Sequence, residues 1–188
     1  MNVVEEIARI SGQEKISGRF FLAGNECFAP EISRAVSVVK PSGYVDGHPA
    51  SSKLDLFESF TEKIVDMVKS SPYWANTVIF ITFDEGGGYY DSGYIQPLDF
   101  FGDGTRIPLI VVSPFAMGGH ISHAYADHVS ILKFIERNWD LPPVTTRSRD
   151  NFPNPMPSAA SAYVPSNRPA LDDLFDFFNF GSAQTAVK

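Results

Sequence analysis

The chain contains a run of apolar, β-branched and aromatic residues from Thr77 to Phe83, which ends abruptly in Asp84, Glu85 and three glycines. Such a run is typical of a buried strand, so two carboxylates are expected where the strand opens into a tight loop. In open parallel sheets, ligands bind beyond the carboxyl ends of the strands, which would place both side chains at the mouth of a ligand crevice. The glycines would allow positive φ and a close approach of the backbone to a bound group.

Two shorter apolar runs predict further strands, at residues 35–39 and 108–113. Prolines follow both runs closely and would end the strands. Between the first of these runs and the central one, apolar residues at steps of three and four predict a helix from Leu54 to Lys69, with Ser51 or Ser52 as its N-cap. Strand, helix, strand in this order predicts a βαβ unit with a parallel strand pair. The predicted fold class is therefore α/β, with a parallel or mostly parallel sheet flanked by helices.

A second helix is predicted after a glycine turn, with Asp127 as its cap. Its apolar face comprises Ile131, Leu132, Ile135 and Trp139. Residues 142–169 are then rich in proline, serine and asparagine, which is typical of an extended arm rather than a new domain. Residues 171–180 hold too many phenylalanines to remain in water, so they are expected to dock the arm. We therefore divide the chain into an irregular segment (1–19), an α/β core (20–141) and an arm with a docking tail (142–188).

Composition limits the function classes. At 188 residues and 44% hydrophobic, the chain can bury one sizeable core. The formal net charge of −7 and the lack of a basic run disfavour electrostatic binding to nucleic acid or to an anionic membrane. The single cysteine, Cys27, excludes an internal disulfide framework, and no apolar stretch is long enough to predict a spanning helix. The first 19 residues lack the continuous apolar stretch of a signal peptide.

Asp84 and Glu85 are candidate metal ligands, because carboxylate oxygens suit hard divalent cations such as Ca²⁺, Mg²⁺ or Mn²⁺. A cation held there could neutralise a phosphoryl group. The alternative is a solvated acidic turn after a strand.

Histidines provide weaker signals. His48 lies in a loop where Pro49 favours an extended conformation. It could donate a hydrogen bond to a substrate oxygen or protonate a leaving group, or it could be a structural or merely exposed residue. His120 and His123 are a weak metal motif, and we interpret both as loop residues. Asp127 with His128 is interpreted as a helix cap and its neighbour, with a catalytic role as the alternative.

Several separated stretches together resemble the phosphoesterase family of bacterial phospholipases C and acid phosphatases. The resemblance extends roughly over residues 20–180, and the order and spacing of its motifs are more specific than any one of them. The stretches that carry it are His48-Pro49 and residues 71–77, 84–91, 106–115, 127–136, 167–170 and 174–177.

The resemblance implies an alkaline-phosphatase-like α/β fold, incomplete in this chain, and hydrolysis of a phospholipid or a phosphomonoester at a site with a divalent metal ion. By analogy, Asp84 and Glu85 would bind the metal and His48 would line the phosphate pocket. The family's Ser or Thr nucleophile belongs to its N-terminal half, so the chain is expected to be a C-terminal portion that lacks it. A secreted or periplasmic location is likewise implied.

The chain departs from the family pattern at Ser92, which follows Tyr90-Asp91 where the family usually has a histidine, and the expected proline-rich stretch is reduced to Gln96-Pro97. Two hypotheses remain. The first is part of a metal-dependent phosphoesterase, with little activity in the isolated chain. The second is a non-catalytic remnant or partner module that keeps the fold without turnover. A missing half would expose apolar surface, which predicts self-association.

Overall fold

The computed structural model describes residues 19–21, by their backbone alone, and residues 35–181. Residues 1–18 of the irregular segment predicted for residues 1–19 lie outside the described residues, as does Cys27. Arg19, the last residue of that segment, belongs to a strand. The described chain forms two compact units. The first comprises the described residues up to Thr82 with residues 108–116 and Gly181, and the second comprises residues 83–107 and 117–180. The predicted division into three consecutive ranges remains a prediction.

The first unit contains a four-stranded sheet in the order β2-β1-β3-β4. Its strands are β1 (Arg19–Phe21), β2 (Val36–Ser37), β3 (Thr77–Thr82) and β4 (Leu109–Val112). Strand β1 pairs in parallel with β2 and with β3, whereas β3 and β4 are antiparallel. Together with the helices, this sheet confirms the α/β class.

Strands β2 and β3 of the predicted βαβ unit run in the same direction, since both are parallel to β1. Their predicted direct pairing is wrong, because β1 lies between them. The pairing with the longest register, Ile79–Thr82 against Leu109–Val112, is antiparallel. A mostly parallel, alkaline-phosphatase-like sheet accordingly remains a prediction.

Strand β3 is more buried than β2 or β4. Val78, Ile79 and Phe80 are each at most 5% exposed, as expected for an unbroken apolar run. Side chains near the strand ends add hydrogen bonds between β3 and the β4 segment. Thr82 Oγ1 donates to the carbonyl oxygen of Pro108 over 2.8 Å, and Ser113 Oγ donates to that of Thr77 over 2.8 Å.

Helix α1 (Leu54–Lys69) has the predicted bounds. Its predicted N-cap is wrong, because Lys53 occupies that position and no side chain caps the helix. Ser52 Oγ instead donates to the carbonyl oxygen of Tyr44 over 3.0 Å. Of the predicted apolar face, Val68 is buried, and the other three residues are half-buried: Phe57, Phe60 and Ile64.

Helix α2 (Val129–Trp139) belongs to the second unit. The N-cap position of this helix is occupied by His128 and not by the predicted Asp127. The Asp127 carboxylate nevertheless accepts a hydrogen bond from the Val129 N–H over 2.7 Å, in the first turn. Burial centres on Phe134, which the predicted apolar face did not include. The rings of Phe175 and Phe178, from the tail, lie 4.7 and 5.1 Å from that of Phe134.

The arm contains a short 3₁₀ helix at Arg149–Asn151. Beyond it, Leu171 and Leu174 are almost completely buried. In the described part of the chain, no helix has the length and apolar character needed to cross a bilayer.

Candidate functional site

The acidic pair follows β3 after one intervening residue, Phe83. Both Asp84 and Glu85 are exposed. Glu85 Oε2 accepts a hydrogen bond from the Gly87 N–H over 2.7 Å, so this carboxylate folds back over its own loop. The loop then turns, with the Tyr89 N–H donating to the carbonyl oxygen of Gly86 over 3.1 Å. The predicted placement of two accessible carboxylates directly after the central strand is what the structure shows.

The three glycines have two different uses. Gly87 and Gly88 adopt positive φ values of 64° and 75°, a region that side chains disfavour. At Gly86, a Cβ atom would coincide with the Thr105 side chain, so the absence of a side chain makes room for Thr105. The expected close approach to Gly86 is therefore made by the chain itself.

His128 holds the backbone immediately before the acidic pair. Its Nε2 atom lies 2.8 Å from the carbonyl oxygen of Phe83. Because a carbonyl oxygen only accepts hydrogen bonds, Nε2 must carry the proton. The sequence indicated a cap residue and its neighbour here. It contained no signal for this contact, which joins residues 45 positions apart.

Asp91 and Arg106 close the loop that begins at the glycines. Both Asp91 carboxylate oxygens accept hydrogen bonds from Arg106, from its backbone N–H over 2.8 Å and from Nε and Nη2 over 2.9 and 2.6 Å. These hydrogen bonds hold the pKa of Asp91 well below its usual range. A Cβ atom on Gly93 would overlap the Arg106 guanidinium, so glycine at this position permits the ion pair. The carboxylate next to Ser92 is thus occupied in ordering the loop.

A second ion-pair cluster surrounds Arg149 of the arm. Its Nε and Nη2 atoms donate to the two oxygens of Asp99 over 2.7 and 3.0 Å, and Nη1 donates to Asp127 over 3.0 Å. A third carboxylate, Asp103, lies 3.8 Å from Nη1 and accepts a hydrogen bond from the Tyr125 hydroxyl over 2.8 Å. The hydrogen bond to Asp99 raises the pKa of Arg149, so the cation is permanent. The cluster joins residues 99–103, the start of α2 and the arm.

His48 lies in the first unit, in a loop of its own. The imidazole is exposed, and its Nδ1 accepts a hydrogen bond from the Ala50 N–H over 3.2 Å. The His48 N–H in turn donates to Asp46 over 2.9 Å. A neutral ring with an accepting Nδ1 carries its proton on Nε2, which leaves that atom as a donor. Proximity of His48 to the acidic pair remains a prediction.

The donor chemistry of the acidic pair fits a hard divalent cation, but two carboxylates supply only part of the usual ligand set. Across residues 35–181, no group of three or more histidine, cysteine, aspartate or glutamate side chains is arranged to hold a metal ion. His120 and His123, the weak metal motif of the sequence, belong to no such group. His120 lies 3.3 Å from Asp176, and the ring of His123 packs edge-on against Tyr163.

Comparison with known proteins adds the family. Residues 34–142, more than half of the chain, match the model of the phosphoesterase family. A segment covering 69% of the chain is 31% identical to a hemolytic phospholipase C of Pseudomonas aeruginosa. Others covering 65% and 73% are 29% and 27% identical to a non-hemolytic phospholipase C of Burkholderia pseudomallei and phospholipase C B of Mycobacterium tuberculosis.

These alignments cover 19%, 20% and 32% of the three relatives, so the chain spans less than a third of their length. The family match includes both the acidic pair and His48. The chain belongs to the phosphoesterase family.

Proposed function

We propose that this chain contributes the carboxylate ligands of a metal-dependent phosphoric ester hydrolase with an alkaline-phosphatase-like fold, acting on a phospholipid or a phosphomonoester. The observation that carries the proposal is the exposed acidic pair, Asp84 and Glu85, directly after the central strand of a phosphoesterase-family chain. The names of its relatives support this reaction class.

Asp84 and Glu85 would hold the divalent cation. When bound, the cation supplies positive charge that stabilises phosphoryl oxygens. The chain's own part is to keep the two carboxylates accessible and in place. The Gly87 N–H restrains Glu85, and His128 restrains the backbone at Phe83.

His48 is proposed as a phosphate-contacting residue. Because Ala50 occupies Nδ1, the neutral imidazole offers Nε2–H to an ester oxygen. A proton donor of this type can bind the substrate or assist the departure of the leaving group near neutral pH.

We propose that the Ser or Thr nucleophile comes from residues other than the described ones. Ser113 is the serine that follows strand β4, but its Oγ donates to the carbonyl oxygen of Thr77 and accepts from the Phe115 N–H. A hydroxyl held in two backbone hydrogen bonds, with no base beside it, has no means of activation.

A non-catalytic module is the second candidate function. It is favoured by the absence of a third metal-ligating side chain beside the acidic pair in residues 35–181. Such a module would keep the fold and could still bind a cation weakly.

Metal binding tests the proposed site. Isothermal titration of the whole chain with Mn²⁺ should show saturable binding, which the Asp84→Asn/Glu85→Gln variant should weaken at least about tenfold, a loss of about 1.4 kcal/mol. Glu62→Gln, which removes an exposed carboxylate on α1, is the matched control and should bind as the parent chain does. No saturable binding, or equal binding by the double variant, would overturn the metal assignment.

Turnover distinguishes the two candidate functions. The chain is assayed with Mn²⁺ on a chromogenic phosphate monoester and on a phosphatidylcholine, alone and with the remainder of a full-length relative added. Metal-dependent hydrolysis that is lost in Asp84→Asn supports the hydrolase. Metal binding without hydrolysis under either condition supports the non-catalytic module.

A further inference from the structure

Two adjacent phenylalanines of the second unit are almost fully in water. Phe100 is 96% exposed and Phe101 is 90% exposed. Their rings meet edge to face with centroids 5.4 Å apart. Large aromatic side chains are rarely left exposed as a pair, because each buries a large apolar area when it finds a partner. The pair therefore indicates a contact surface.

The backbone of this turn is hydrogen-bonded internally. Asp99 Oδ1 accepts a hydrogen bond from the Phe101 N–H over 2.9 Å, and the Asp99 carbonyl oxygen accepts one from the Gly102 N–H over 3.2 Å. Gly102 adopts a φ of 69°, which permits the sharp return of the chain. Two N–H groups beside the rings thus have acceptors within the turn and need no water. The free-energy cost of moving the turn into a less polar medium is therefore lower than it would be with these groups unpaired.

Arg149 holds the turn in place and pairs with the Asp99 carboxylate. Its Nε and Nη2 atoms donate a bidentate pair of hydrogen bonds to the Asp99 carboxylate, and Nη2 also donates to the carbonyl oxygen of Gly102. Both residues that flank the phenylalanines are therefore fixed by one guanidinium. A turn ordered in advance loses little conformational freedom when it binds.

We infer that residues 99–102 are an interfacial anchor, whose two phenylalanine rings insert into the headgroup region of a zwitterionic phospholipid bilayer. This inference rests on the proposed function, since a phospholipid hydrolase must reach its substrate in a bilayer. Aromatic side chains favour the boundary between the headgroups and the hydrocarbon. The net charge of −7 and the paired state of Asp99 favour zwitterionic over anionic lipid.

Vesicle binding tests the anchor. The whole chain is sedimented with sucrose-loaded phosphatidylcholine vesicles at about 0.15 M salt. The parent chain should bind, and Phe100→Ser/Phe101→Ser should lower the partition coefficient at least about tenfold. The matched control is Ile121→Ser, another exposed apolar residue of the same unit, which should partition as the parent does.

The depth of the rings is a second readout. In Phe101→Trp, tryptophan emission should shift to the blue on adding vesicles and be quenched by lipids brominated in the acyl chains. Trp74 and Trp139 contribute a background, which the parent chain measures. Unquenched emission, or equal vesicle binding by the double serine variant, would overturn the anchor.

Two further experiments distinguish the lipid anchor from a contact between two copies of the chain and from a failure of the proposed function. Reversible self-association of the parent chain in sedimentation velocity, lost in the double serine variant and unaffected by vesicles, would assign the rings to a second copy and overturn the lipid assignment. The Asp84→Asn/Glu85→Gln variant should retain vesicle binding, because the anchor does not use the acidic pair. Loss of metal binding and loss of vesicle binding are therefore separate outcomes.

Discussion

The Nε2 atom of His128 donates a hydrogen bond to the carbonyl oxygen of Phe83 over 2.8 Å, which ties the start of helix α2 to the residue before Asp84. The acidic pair lies on a loop rich in glycine, and such a loop has many conformations available in the absence of restraints. His128 acts on this loop as a positioning residue, through the backbone and not through contact with a substrate.

Replacing His128 by phenylalanine should weaken Mn²⁺ binding by the acidic pair about three- to tenfold, because one hydrogen bond is worth about 0.5–1.5 kcal/mol. Titration calorimetry measures this. His128→Gln, whose amide can also donate, should restore most of the affinity. Weakening by both variants alike would contradict a role through the hydrogen bond.

Gly93→Ala should disturb the loop between the glycines and β4. The new methyl group would overlap the Arg106 guanidinium, which three hydrogen bonds to Asp91 keep in place. We expect a lower unfolding midpoint and faster proteolysis of residues 89–104. Gly104→Ala is the matched control, since a Cβ atom there meets open space and should leave both properties unchanged.

The same ion pair predicts an acid dependence. The pKa of Asp91 is lower in the folded chain than in the unfolded one, so its contribution to stability is present above about pH 4 and is lost as the pH falls toward the folded-state value. In Asp91→Asn this acid dependence should be absent. In that background Gly93→Ala should add little, because the ion pair is already gone. A full additional loss would contradict the steric mechanism.

Two carboxyl groups, Glu136 of α2 and Asp150 of the arm, are buried and interact with each other. Burial, followed by the interaction with Asp150, raises the pKa of Glu136 to about 7. The Oε1 atom of Glu136 has no hydrogen-bond partner in the described part of the chain. Burial would also raise the pKa of Asp150, but hydrogen bonds from Ser148, Val144 and Glu136 hold it below its usual range. Near neutral pH, Glu136 is therefore the member that carries the shared proton. Lys133 is the cation that faces Glu136 on the same helix.

In the parent chain, the free energy of unfolding should fall as the pH rises and Glu136 ionises, and Glu136→Gln should remove this part of the fall. Because the folded state raises the pKa of this carboxyl, its contribution is complete below about pH 4.5 and is lost as the pH rises through about 7. At pH 8 the variant should gain on the order of 1 kcal/mol, or about 2–4 °C in Tm for a chain of this size. Thermal unfolding from pH 5 to 8 measures the difference.

Asp172 acts in the same direction, since burial raises its pKa to about 6, but it is unchanged in the glutamine variant and cancels in the comparison. Glu62→Gln, on the exposed side of α1, should follow the parent curve. Parallel curves for Glu136→Gln and the parent chain would contradict the shared proton.

Lys133→Met should destabilise the docked arm. The Lys133 ammonium is buried and donates to the carbonyl oxygens of Phe152 and Leu171 and to Asn154 Oδ1. Burial lowers the pKa of Lys133, and the charges of the nearby Asp173 and Asp172 carboxylates oppose this shift. Removing it leaves three acceptors unpaired, at a cost of roughly 2–4 kcal/mol in urea unfolding. Lys63→Met, exposed on α1, should change stability by no more than about 0.5 kcal/mol.

The sequence alone determined the local elements. It predicted α1 at its observed bounds, placed β3 and β4 within a residue of their observed ends, and located the acidic pair after β3. These features follow from the spacing of apolar residues along a helix or strand and from the order of residues in the chain. The positive φ values at Gly87 and Gly88 also follow from local sequence, because glycine adopts them without steric cost.

The tertiary structure decided every contact between distant segments. It inserted β1 between β2 and β3, left α1 without a capping serine, and buried the charged residues Lys133 and Glu136 on α2. It also gathered three carboxylates from two segments around Arg149. Such contacts depend on the path of the whole chain and on which buried polar groups find partners, and no periodicity in the sequence encodes either.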